Sequence, residues 1–179
     1  IDRSERRVRD QIERHLERNT ERVSSDRGAV SSPFAQLSEA EVGRITPRPR
    51  SACFTGGQCL LGRDAAVVHG TGLDNEVRFL RALLADLPPG EGVVTLAVGP
   101  VTEAGDEAYS LDIDAQRVVL TGASSHGVFN GLQSLAQLVS PDGALPLGVV
   151  QDAPRFAYRG MMLDVARHFS SVDTVLRLL

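Results

Sequence analysis

Residues 154–179 read PRFAYRGMMLDVARHFSSVDTVLRLL, and the change of character along this stretch sets the expected fold at its end of the chain. Met161, Met162, Leu163 and Val165 make an apolar run of strand length. Asp164, Arg167 and His168 crowd polar groups at the end of that run. Ser170 or Ser171 then offers a hydroxyl to cap a helix carrying Val172, Val175, Leu176 and Leu179. Strand, polar cluster and helix together form one unit of a parallel α/β fold. In such folds ligands bind at the carboxyl ends of the strands.

The hundred residues before this stretch follow a different pattern. Cys59–Leu61 and Ala65–Val68 are short apolar runs separated by the turn signal Gly62-Arg63-Asp64. Leu73, Val77, Leu80, Leu84 and Leu87 recur at helical spacing until Pro88-Pro89-Gly90 stops them. Val93–Val98 reads as a strand. Ala108–Ile113 alternates, with Tyr109, Leu111 and Ile113 on one face, and Arg117–Thr121 returns as its hairpin partner after a turn at Asp114-Ala115. Ser124 or Ser125 caps a helix running through Val128, Phe129, Leu132, Leu135, Leu138 and Val139, ended by Pro141-Asp142-Gly143. Leu147–Val150 is a last short strand. Consecutive strands with two interspersed helices predict an α+β domain, a mainly antiparallel sheet with helices on one face. Gly127 and Gly131 stand four apart without either phosphate-loop pattern, so their expected role is to let the helix lie close to the sheet.

These residues also resemble a known family. Arg159-Gly160, the apolar run, and Asp164-Val165-Ala166-Arg167-His168 resemble the opening of the catalytic barrel in family 20 glycoside hydrolases, the β-N-acetylhexosaminidases. Upstream, Glu107-Ala108-Tyr109-Ser110-Leu111, then Gly127 to Leu138, then Asp152-Ala153-Pro154-Arg155-Phe156 resemble the small domain that precedes that barrel. The resemblance covers about residues 45–179. It implies three parts: a charged helical arm and linker over 1–44, an α+β domain over 45–153, and over 154–179 the truncated start of a (β/α)8 barrel, its first strand and helix.

The resemblance implies a function as well. Family members hydrolyse terminal N-acetylhexosamine residues by substrate-assisted retention, in which the acetamido oxygen attacks the anomeric carbon. A Glu protonates the leaving oxygen and the adjacent Asp orients the acetamido group, both on a later barrel strand. No catalytic residue is therefore assigned in this chain, which alone is expected to be inactive. No metal or other cofactor is expected. The family's substrate-gripping arginine falls on Arg167, with Asp164 and His168 in support, and the expected partners are an N-acetylhexosamine-containing glycan and the rest of the barrel. An arginine suits the task because its planar fork carries five fixed donors and keeps its charge. The plainer reading of Arg167 is an ion pair with Asp164, three residues away, and the two readings are compatible. Arg159, before the strand, is expected to be structural. The alternative function is a non-catalytic module that binds carbohydrate or a protein.

The remaining features bound these readings. Hydrophobic residues make up 42% of the 179, enough for a sizeable core. The net charge of -4 argues against a nucleic-acid surface, and no apolar run of about 18 residues predicts a membrane span. The chain begins at Ile1, so its natural start is expected to be missing, and secreted and cytoplasmic placements both stay open. Cys53 and Cys59 lack metal spacing and read as two small apolar residues, with a bridge across Gly56-Gly57 as the alternative. His69, His126, Asp74, Glu76, Asp112 and Asp114 read as solvated. Within the arm, Val8, Ile12 and Leu16 draw a thin stripe on a helix that could be loosely packed, a solvated arm or an interface. That stripe and the Ser/Pro-rich linker after it predict that residues 1–43 are dispensable to the fold.

Overall fold

The computed structural model describes residues 44–165, 167 and 169–177. The arm and His168 lie outside the described residues. Strands β1 (Ser51–Leu60), β2 (Ala66–His69), β3 (Val93–Val98), β4 (Tyr109–Ile113), β5 (Val118–Gly122) and β6 (Ala144–Asp152) form one sheet. Their order across it is β1-β6-β4-β5-β3-β2. The pairs β1–β6, β6–β4 and β4–β5 are antiparallel, while β5–β3 and β3–β2 are parallel. The α+β expectation holds, with a parallel flank that the strand pattern did not announce.

Two longer helices lie on one face. Helix α1 (Asp74–Ala85) connects β2 to β3 and turns Leu80 and Leu84 inward. Helix α2 (Ser125–Leu138) joins β5 to β6 and is capped by the Ser124 hydroxyl, which accepts from His126 N at 3.1 Å. It packs on β3, β4, β5 and α1. The contact is close because α2 is notched: a Cβ at Gly131 would overlap Leu120 Cδ1, and one at Gly127 would overlap the Ala108 carbonyl oxygen. Leu96, Leu111, Leu120, Leu132, Leu135 and Leu138 fill the layer between helix and sheet and are essentially inaccessible.

Several boundaries differ from expectation. β1 begins at Ser51, eight residues before the predicted Cys59: it is an edge strand that pairs with β6 over Ser51–Phe54, buries Phe54, and resumes at Gln58 after a break in register. β6 likewise starts earlier, at Ala144. Glu76, expected in solvent, is 8% exposed on the first turn of α1. Cys53 and Cys59 are not joined in a disulfide.

The largest departure is at Met161–Val165, which is not a strand. Strand pairing needs a neighbour with matching donors and acceptors, and none of the described strands pairs with this run. Met161 is 64% exposed and Met162 94%. Downstream, the short helix α3 (Val172–Leu176) does form, capped by Ser171, whose hydroxyl accepts from Thr174 N at 3.3 Å.

Candidate functional site

The polar cluster predicted after the apolar run is present in part. Arg167 Nε lies 3.3 Å from Asp164 Oδ2. The pair spans one loop and uses only Nε, which leaves four of the guanidinium's five N–H donors turned outward; Arg167 is 86% exposed. An exposed pair of this kind adds little stability. Its effect is orientational: Asp164 holds the fork by one edge. His168, predicted beside them, lies outside the described residues.

Arg159 meets its structural expectation and shows a partner that sequence reasoning missed. Its Nη2 pairs with Glu107 Oε2, and its Nη1 donates to the Phe156 carbonyl at 2.7 Å. Asn130 Nδ2 donates to the Glu107 carbonyl at 3.1 Å. The hydrogen bond from Arg159, with help from Asn130, holds the Glu107 carboxyl below its ordinary range despite some desolvation. Asp106-Glu107 is an adjacent acidic pair, but a carboxylate kept ionised in this way is unsuited to donate a proton. It serves as an anchor on the loop before β4.

A second anchor is Arg50. Its backbone N donates to Asp152 Oδ1 at 3.0 Å, its Nε to the Ala153 carbonyl at 3.1 Å, and its Nη1 pairs with Glu103 at 3.1 Å. Between the two anchors lies a cavity of about 420 Å³. Tyr109, Asn130, Gln133, Arg48, Arg155 and Phe156 contribute to its walls. At its floor the Tyr109 hydroxyl meets Ser134 Oγ at 2.5 Å, and burial pushes the Tyr109 pKa up to about 12. Among the described residues no three His, Cys, Asp or Glu side chains converge as a metal would require. No described helix is long and apolar enough to cross a membrane.

The small domain has a known pattern. Residues 43–153 match the family model described as glycosyl hydrolase family 20, domain 2. The chain belongs to glycosyl hydrolase family 20. Residues 156–179 match the catalytic domain of the same family, covering only its start. This family 20 chain is 34% identical over 168 residues to the beta-hexosaminidase of Vibrio furnissii, covering 84% of the chain and 27% of that protein. It is 32% identical over 169 residues to the N,N'-diacetylchitobiase of Vibrio harveyi, covering 90% and 18% respectively. Among solved structures, the family 20 exo-beta-N-acetylglucosaminidase of Vibrio harveyi in complex with N-acetylglucosamine superposes with a TM-score of 0.65 at 27% identity. That alignment covers 84% of this chain and 26% of that one. The family 20 beta-N-acetylhexosaminidase of Streptomyces coelicolor gives 0.62 at 29%, covering 84% and 33%. The chain thus spans about a quarter or less of the length of these two Vibrio relatives.

Proposed function

We propose that this family 20 chain is the leading part of a β-N-acetylhexosaminidase, in which residues 45–153 form a supporting domain and residues 154–179 begin the catalytic barrel. The complete enzyme would release terminal non-reducing N-acetylhexosamine from a glycan by substrate-assisted retention. The observation that carries the reading is the Asp164–Arg167 pair, which lies within the stretch matching the catalytic domain and presents most of a guanidinium fork outward. In a completed barrel the apolar run Met161–Val165 becomes the first strand, and its carboxyl end brings Arg167 to the substrate mouth. Arg167 then holds sugar hydroxyls remote from the bond that breaks, Asp164 orients it, and His168 shapes the pocket beside it. Proton transfer and acetamido positioning belong to an Asp-Glu pair on a later strand; residues 154–179 hold only Asp164 and Asp173 as carboxylates.

The test is kcat/KM on a chromogenic N-acetylglucosaminide for the complete enzyme and its Arg167→Ala and Arg167→Lys variants, with melting temperatures alongside. Each lost charge-assisted hydrogen bond costs about 1.5–3 kcal/mol. One or two of them reduce kcat/KM by roughly ten- to ten-thousand-fold at about 1.4 kcal/mol per decade. Lys recovers little, since a point charge does not reproduce the fork. Near-normal kinetics in Arg167→Ala would reject the sugar contact, and turnover by the 179-residue chain alone would reject the division of labour.

A further inference from the structure

Four polar residues of α2, Asn130, Gln133, Ser134 and Gln137, stand at i, i+3, i+4 and i+7 and share one face of the helix. All four line the cavity of about 420 Å³. Two of them are already committed. Asn130 Nδ2 donates to the Glu107 carbonyl at 3.1 Å, and Gln137 donates to the Gln133 carbonyl at 3.2 Å while accepting from Thr46 N at 2.8 Å. The other two keep hydrogen-bonding capacity in reserve. The Gln133 carboxamide meets no partner among the described residues, so its two N–H donors and its oxygen are unspent. Ser134 and Tyr109 are 5% and 3% exposed, and their hydroxyls share a single bond at 2.5 Å. One bond between two hydroxyls uses one hydrogen, and the second has no acceptor among the described residues. A buried hydroxyl hydrogen left unpaired is costly, and the cavity is the side from which an acceptor can come.

We propose that this cavity binds a neutral saccharide unit, with ring hydroxyls on Gln133 and on the Tyr109–Ser134 pair and an apolar face of the ring against Phe156. Sugar hydroxyls both donate and accept, which is what a carboxamide and a hydroxyl pair ask for. Phe156 also lines the cavity and is 72% exposed, so its ring is open to stack on the C–H face of a sugar. The buried part of the lining is uncharged, which selects a neutral ligand. Arg159 is paired with Glu107, and Arg48 and Arg155 are solvent-exposed, where their charge is screened. A carboxylate on the wall, Asp152, further disfavours an anion and leaves one more acceptor for a hydroxyl. The volume falls in the range of about 300–1,000 Å³ found for small-molecule sites. None of these residues belongs to the Asp164–Arg167 pair, so the site is a second holding point for glycan and stands whether or not Arg167 grips a substrate.

The experiment titrates the isotope-labelled 179-residue chain with N-acetylglucosamine and follows the backbone amides by NMR. The expected result is saturable shifts at residues 130–137 and 153–156, with a millimolar dissociation constant, the scale for so small a ligand. Gln133→Ala and Phe156→Ala are each expected to weaken binding about tenfold, the size of one lost partner. Their melting temperatures stay at the wild-type value, because Gln133 is only half-buried and Phe156 lies mostly in solvent. Absence of saturable shifts would overturn the proposal, as would wild-type affinity in both variants. Shifts centred on residues 161–167 would assign the sugar to the Asp164–Arg167 pair and overturn it too. Tighter binding of glucuronate than of N-acetylglucosamine would make the cavity an anion site, which is equally contrary to the proposal.

Discussion

Residues 45–153 and residues 154–177 both carry apolar runs, and these have opposite fates. In the first region, Leu111, Leu120 and Leu132 are 0% exposed. In the second, Met162 is 94% exposed, Phe169 90% and Phe156 72%. The difference lies in partners, not in residues. Between sheet and helices, the first region supplies both sides of the contact within about a hundred residues. The second supplies one side only, an apolar run and a helix face without counterparts among the described residues. An apolar sequence predicts a wish to be buried, and only a complementary surface fulfils it.

Mutations in the two regions should therefore differ most in stability. Leu120→Ala is expected to cost about 2–5 kcal/mol in urea denaturation, from lost transfer energy and a cavity under α2. Met162→Ala, removing a side chain already in solvent, is expected to change stability by no more than about 0.5 kcal/mol. Equal effects would dissolve the contrast.

A smaller effect is expected at high pH, and in the first region alone. Burial raises the Tyr109 pKa to about 12, above the value near 10 of an unfolded tyrosine. Between these values the unfolded chain loses a proton that the folded one keeps. The stability from the buried neutral phenol is thus intact below pH 10 and lost as pH rises towards 12, by about 2–3 kcal/mol in all. Stability curves for wild type and Tyr109→Phe should show this slope in the first and lack it in the second.

The smallest effect concerns the tie between the regions. The Glu107 carboxyl is lowered by its bond to Arg159, so the tie is fully present above the ordinary glutamate range and fails as pH falls through the lowered value. Glu107→Gln should leave the melting temperature of the core nearly unchanged and speed limited proteolysis within 154–165 at neutral pH. Wild type should approach the same rate only in acid, with an acid-tolerant protease as probe. A variant cleaved no faster than wild type would show that Arg159 does not hold the two regions together.

What the sequence disclosed follows from range. Leu73 to Leu87 and Val128 to Leu138 could be read as helices because the period that defines them is local. The Tyr109–Ile113 hairpin could be read because its turn lies between its strands. The parallel neighbours of β3 could not, since an apolar run such as Val93–Val98 does not name the strands it will join. The first half of β1 was hidden because its apolar part, Ala52-Cys53-Phe54, is short and is cut off from Cys59-Leu60 by Gly56-Gly57, where the pairing to β6 shifts register. At the candidate site the Asp164–Arg167 pair was legible at a spacing of three residues. The Glu107–Arg159 pair, 52 residues apart, had no local signal; Glu107 stands two residues before β4 and Arg159 seven beyond β6, and the pairing of Tyr109 with Asp152 brings those two strand ends together.

Arg50 has one more consequence. It binds Asp152, Ala153 and Glu103 from the start of β1, where Ser51 pairs with Gln151. The start of β1 and the end of β6 are therefore a single strand-width apart, fastened by one guanidinium. The same clasp gives whatever follows Pro154 a fixed point of departure, so that a neighbour built from the downstream chain starts from one place and in one direction.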